Sequence, residues 1–515
     1  MYRLAMKNIK ILLVSLVVIF LGTACSEKVA HQYALPKNAS LVMAVDLKAI
    51  ADKSGLSEGE GTALVKKLRD ALMQGMDKEG VQLLEEVLAD PSASGLSFTD
   101  PVYVFVGRQS ANVGAVVRVK KQKDVERTMS VLHKQGVCGE IYEAEAFKWT
   151  VVGKALLAFS DGAFLALYSD KASQPEDLNY MAAVLLGQDE AGSYAGTDDF
   201  KTMMTEKADI AISGNMGIVP HEIVSMFSMG LPATLNLEDM KMQAQVNFEN
   251  GKLVMNVRNT TENKEILAFM KKQQLAFQPL KGTYLDYFAP AVACWMSGNM
   301  KGEKAYELLC ENPTIRQTLE SPLFPVDLYR IFQAIDGEIC LALDANNAGF
   351  IMYADVKNSS FLQTFEDLKP LLALTGGEMQ LVTVGPDAYE FRGAYGMMRY
   401  AGMNRLWLGV KNNRFYLTNK QEAIDARPLG QNLHSLPWAE SVKGKQFFMY
   451  MSFPSLASLL YGIPTAEVRT VATVFNALDK LTVMSSDWQH TEVVLTSKET
   501  KKNLLRQMLE GIQKF

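Results

Sequence analysis

The chain has 515 residues, 48% of them hydrophobic and 21% charged, with only 17 Pro. That is the composition of a folded globular protein of two or three domains, and it excludes a disordered or fibrous chain. The formal charge of −5 falls to about −8 once a basic leader is removed, and an acidic surface repels phosphate backbones, so nucleic acid is excluded as a partner.

The N-terminus carries Arg3, Lys7 and Lys10, an apolar run over 11–21, and then Gly22-Thr23-Ala24-Cys25. A basic start, an apolar stretch too short for a flanked membrane span, and small residues before a cut site predict a secretory signal peptide. With a cysteine directly after the small residues, the leader resembles that of a bacterial lipoprotein, in which Cys25 becomes the lipidated first residue. Gly22 stands where such leaders usually have Leu. The expectation is a signal peptide over 1–24, a tether over 25–35, and a lipid anchor at Cys25. No later run reaches the length of a transmembrane helix.

Residues 41–47 read as a buried strand, followed by helices over about 62–76 and 79–88. Over 100–132, alternating Val102, Val104 and Val106 lead through a polar loop to a second apolar run, 115–119. A helix follows whose apolar face is Val125, Met129 and Leu132. Runs at 148–152, 155–160 and 164–168 predict a meander, with Asp161-Gly162 supplying positive φ in a tight turn. A helix near 200–206, a strand over 208–213, and a hairpin turning at Asn250-Gly251 come next, then a helix from about Glu265.

The second half repeats this order. Residues 291–297 stand for the first strand, and 336–368 for the strand, strand, helix unit, with Ile339, Leu341 and Leu343 in the first run and Phe361, Phe365 and Leu368 on the helix. Residues 406–410, Asn412-Asn413 and 415–418 form a hairpin, 446–451 a strand, and 481–484 with 492–496 another hairpin before a terminal helix. Hairpins without long parallel crossovers predict an α+β fold: two tandem related domains, 36–280 and 281–515, of mostly antiparallel sheets with amphipathic helices packed on one face. The alternation, the leader and the opening Leu35-Pro36-Lys37-Asn38-Ala39-Ser40 resemble a family of uncharacterised Bacteroides-type envelope lipoproteins of unknown function. The resemblance implies an envelope location and a duplicated α+β build, and no catalytic residues.

Candidate chemistry fails on spacing. Gly55-Leu56-Ser57-Glu58-Gly59 satisfies G-x-S-x-G, but the preceding residues are polar and helix-like where a nucleophile elbow needs a strand, so a surface loop is expected. His221-Glu222 begins like a zinc-protease helix, but Ser225 occupies the position of the second histidine. The segment from Asp344 to Asp355 mimics a calcium loop, yet Ala348 replaces a ligand, so a hairpin turn is expected. Glu85-Glu86 and Asp198-Asp199 are adjacent and cannot flank one glycosidic bond. The 27 Met, among them Met203-Met204 and Met397-Met398, have no interleaved His for copper and read as core filler. Of Trp149, Trp295, Trp407, Trp438 and Trp488, only Trp438, after Pro437, is expected at the surface. Cys138, Cys294, Cys310 and Cys340 lack metal or redox spacing; Cys294 and Cys340 read as buried thiols and Cys138 as a loop residue.

No catalytic, cofactor or metal residue is assigned, and Cys25 is the one site. The reading is a cell-envelope protein, periplasmic or surface-facing, tethered by lipid at Cys25, that binds or organises a protein or other ligand without catalysis. The alternatives are a hydrolase-like enzyme with a dispersed site in an inter-domain cleft, and glycan binding by exposed aromatic rings.

Overall fold

The computed structural model describes residues 30–512 apart from 57–59, 109–111, 173, 220–234, 322–325, 346–348, 375–378, 394–403, 426 and 461–465. Cys25, Ser57, His221, Ala348 and Met397-Met398 therefore lie outside the described residues. The chain divides into two compact units: Met1–Val219 with Lys241–Met255 and Lys501–Phe515, and Pro220–Met240 with Asn256–Thr500.

The first unit holds β1 (Leu41–Val45), β2 (Leu96–Ser97), β3 (Val102–Val106), β4 (Val113–Val119), β5 (Tyr142–Glu143), β6 (Lys148–Val152), β7 (Ala155–Phe159), β8 (Ala163–Tyr168), β9 (Ile210–Asn215) and β10 (Lys241–Glu249). All pair antiparallel, in the order β10, β9, β1, β3, β4, β8, β7, β6, β5, with β2 extending the pairing on β4. Side chains alternate across the sheet. Leu156, Ala158, Leu165 and Leu167 join one core with Val42, Phe105 and the segments around Leu35 and Leu185. Their neighbours Leu157, Phe159 and Phe164 point the other way, onto Val125, Met129 and Leu132 of the helix Gln122–Lys134. Cover in this unit is thus on both faces.

After the strand β11 (Lys252–Thr260), the second unit holds β12 (Val292–Lys301), β13 (Ile335–Asp344), β14 (Gly349–Val356), β15 (Gln380–Gly385), β16 (Ala388–Arg392), β17 (Arg405–Lys411), β18 (Arg414–Thr418), β19 (Phe447–Ser452), β20 (Leu478–Ser485) and β21 (His490–Ser497). Their antiparallel order is β21, β20, β19, β12, β13, β14, β18, β17, β16, β15. With β12 read for β1, β13 for β3 and so on to β20 for β10, this is the pairing order of the first unit. Trp295, Tyr353 and Phe448 centre one core, and Phe361, Leu381 and Leu408 a second.

Three local features depart from the sequence expectation. The Asp161-Gly162 turn has no positive φ; instead Ser160 Oγ accepts the N–H groups of Gly162 at 3.4 Å and Ala163 at 3.3 Å, a hydroxyl doing the work of a special backbone. By contrast Asn412 and Asn413 stand at φ 53° and 56°, the left-handed pair that a two-residue hairpin demands. The helix expected through Phe361, Phe365 and Leu368 is broken into Ser360–Leu362, Gln363–Glu366 and Lys369–Ala373. Pro370 has no N–H to continue the ladder, so the helix restarts there. The hairpin β15–β16 lies outside the sequence expectation, although Tyr389 and Phe391 alternate with Glu390 and Arg392; Asp387, at φ 53°, makes its turn.

The terminal helices also group across the chain. The helix Lys264–Ala276 packs on β12 and the helix Gly302–Leu309 in the second unit, although the apolar pattern places it before a boundary near 280. The helix Leu504–Ile512 packs on β10 and the helix Leu47–Ser54 in the first unit. Asn503 Nδ2 donates to the Phe248 carbonyl at 3.0 Å, Gly251 N–H to that of Lys502 at 2.9 Å, and Leu504 is buried.

Candidate functional site

One set of polar groups buried in the second unit holds a loop. Glu338 on β13 is 1% exposed, and its carboxylate accepts the backbone N–H groups of Lys281, Gly282 at 2.9 Å and Thr283 at 2.7 Å. Gly282, at φ 82°, lets three successive amides turn toward one anion. Asp355 on β14 accepts from Tyr284 Oη at 2.7 Å and from the Glu338 N–H at 3.0 Å. Tyr284 stacks on Tyr353, and the Arg414 guanidinium lies over the rings of Tyr353 and Tyr287. Burial, then the Asp355 carboxylate, push the Tyr284 hydroxyl far above the usual phenol range, so it stays protonated and donates.

The sequence-singled residues are not brought together. Trp438 is buried at 6% exposure, a correction to its expected place at the surface. Short helical turns, Leu433–Ser435 and Ala439–Val442, carry it onto the sheet, where it stacks on Tyr450 at 4.7 Å and Phe448 at 5.1 Å. Trp149 and Trp295 are buried too, so an exposed Trp platform is not formed by these rings. Tyr142 stacks on Trp149 at the sheet edge, but only the tyrosine is exposed. Cys138 is buried, its thiol donating to the Met129 carbonyl at 3.5 Å, because the loop folds back on the helix Gln122–Lys134. All four described cysteines are free. Cys340 is fully buried, and burial raises its thiol pKa; Cys294 is partly exposed. Among the described residues, no three His, Cys, Asp or Glu groups could share a metal ion, and no helix is long and apolar enough to cross a membrane.

One surface of the first unit stands apart. The helix Asn179–Leu186 contains seven uncharged apolar residues in succession, Tyr180, Met181, Ala182, Ala183, Val184, Leu185 and Leu186. Its start is prepared by the turn Pro175–Leu178, with Asp177 accepting the Gln174 N–H at 2.9 Å, and it ends at Gly187. Ala182 and Leu185 enter the core. The opposite side is left uncovered: Tyr180 is 81% exposed and Val184 48%. A helix apolar on all sides is normally buried on all sides. Beside it, the β5–β6 turn closes through the Ala144 N–H and the Phe147 carbonyl at 2.9 Å. Between turn and helix lies a groove of about 400 Å³, lined by Ala144, Ala146, Phe147, Tyr180, Ala183 and Leu186, with Glu145 and Asn179 as its polar side chains. The Asn179 side-chain oxygen is buried with no hydrogen-bond partner. Small residues make the space, and the volume is that of a modest small-molecule site.

A family described as a domain of unknown function, DUF4836, matches residues 31–505. The chain belongs to that family. The DUF4836 match spans both units, so both are integral to the family's build. No curated protein matches the chain. Among solved structures, crystal form III of TP0453 is 10% identical, with 49% of this chain and 90% of that chain covered at a TM-score of 0.28. Crystal form I of TP0453 is 10% identical, with 50% and 89% covered at 0.27. The DNA polymerase III subunit beta from Pseudomonas aeruginosa is 8% identical, with 84% and 98% covered at 0.10. Likenesses of that size carry no argument about this DUF4836 protein.

The groove is the feature that sequence reasoning missed. Its signal was present: a helix-length stretch, Tyr180 to Leu186, without a polar face. It escaped because a search for amphipathic period rewards contrast between faces, and this helix has none.

Proposed function

We propose that this DUF4836 protein is a cell-envelope lipoprotein, anchored through lipid on Cys25, that acts by binding an apolar ligand in the groove beside the helix Asn179–Leu186. The observation that carries the binding reading is an uncharged helix exposing Tyr180 and Val184 over that groove. Leaving such a face in water costs hydrophobic free energy that a bound ligand restores. The anchor is supported by the basic start, apolar run and small residues before Cys25. Descent from a tandem duplication is supported by the like strand order in the two units.

The binding half is tested with Cys25→Ala protein and the apolar dye 1-anilinonaphthalene-8-sulfonate. Saturable binding at one site, lost in Ala183→Arg, is expected. Dye binding that Ala183→Arg leaves unchanged refutes the groove as the site. The anchor is tested by the mass of protein purified from membranes, where lipid must be present on Cys25 and absent from Cys25→Ala.

A further inference from the structure

We infer that the groove takes a single fatty acyl chain and that its occupant in the anchored protein is an acyl chain of the protein's own lipidated Cys25. This rests on the anchor and groove reading above. The first described residue, Ala30, opens a turn that is fastened to the end of the groove helix. Gln188 Nε2 donates to the carbonyls of Tyr33 at 2.8 Å and Leu35 at 3.3 Å. The Tyr194 N–H donates to the Leu35 carbonyl at 3.1 Å, and Lys37 Nζ to that of Ala191 at 2.7 Å. The start of the folded chain and the Gly187 end of the groove are therefore neighbours. Five residues, 25–29, precede Ala30 and reach up to about 17 Å when extended. The eight-residue helix along the groove is about 12 Å long. Cys25 is within reach of the groove from its Gly187 end.

The chemistry of the lining selects a chain of methylenes. The groove is lined by the unbranched residues Ala144, Ala146, Ala183 and Gly187 and by the apolar side chains of Phe147, Tyr180 and Leu186. Each methylene buried strengthens binding about fourfold. An acyl chain laid along the helix covers Tyr180, the most exposed of its apolar residues.

The test titrates cis-parinaric acid, a fluorescent fatty acid, into full-length protein in two forms, acylated and Cys25→Ala. The Cys25→Ala form is expected to bind one equivalent, and Ala183→Arg or Tyr180→Asp in that background to weaken binding at least tenfold. The acylated form is expected to bind at least tenfold more weakly, its groove being filled. Absence of parinaric acid binding to the Cys25→Ala form overturns the acyl specificity, even where the smaller dye binds. Equal binding to both forms, with lipid on Cys25 shown by mass, overturns the own-chain occupant alone. A protein found without lipid on Cys25 removes that occupant together with the anchor.

Discussion

Replacing Glu338 by Ala strips three backbone N–H groups, those of Lys281, Gly282 and Thr283, of their shared acceptor. The carboxylate is 1% exposed, so water does not reach the site without opening the loop. A buried donor left unpaired costs about 1–3 kcal/mol. Three donors with partial relaxation of the loop give about 3–5 kcal/mol, in the range seen when one member of a buried charged pair is removed. Glu338→Gln keeps an acceptor oxygen but loses the charge, and its amino group meets one of the N–H donors, so about 2 kcal/mol is expected. Urea unfolding followed by tryptophan fluorescence reads this directly, since Trp295 and Trp438 sit in the core beside the loop. An Ala variant within about 1 kcal/mol of the parent would refute the claim that this carboxylate holds the loop.

Burial depresses the pKa of His31 below its ordinary value of 6.5, although its Nε2 lies 2.9 Å from the Pro101 carbonyl. The unfolded chain then binds the extra proton, so stability is lost as pH falls through and below 6.5; His31→Gln should flatten that part of the pH dependence of the melting temperature. Leu504, near the end of the chain but buried in the first unit, should cost about 2–5 kcal/mol as Leu504→Ala, measured by denaturant unfolding. A Cβ at Gly302 would sit 1.9 Å from the Phe332 carbonyl oxygen, so Gly302→Ala must push two helices apart. The expected loss is about 1–3 kcal/mol, and a melting temperature equal to the parent's would contradict the packing.

The strands were the legible part. The alternation of Val102, Val104 and Val106 marks β3, although the face it buries is that of Tyr103 and Phe105, and Asn412-Asn413 makes the tight hairpin turn it predicts. What periodicity does not reveal is the surface that covers an apolar face. The helices Lys264–Ala276 and Leu504–Ile512 are amphipathic in the sequence, but which unit receives each is decided by distant residues. Trp438 follows the same logic, for a proline-flanked loop reads as exposed until the turns around it are seen to fold over β19. The groove was hidden for the opposite reason. Its helix shows no contrast of faces, and its second wall, at Ala144, Ala146 and Phe147, comes from a hairpin more than 30 residues earlier.

The site itself is tested most directly by photocrosslinking. A palmitic acid carrying a diazirine in its chain is bound to Cys25→Ala protein, irradiated, and the modified peptides are located by mass spectrometry. Label concentrated on residues 144–147 and 179–187, and lost in Ala183→Arg, is the predicted result. Label spread over the surface, or concentrated on the apolar residues of another element such as Leu371 and Leu374, would contradict it.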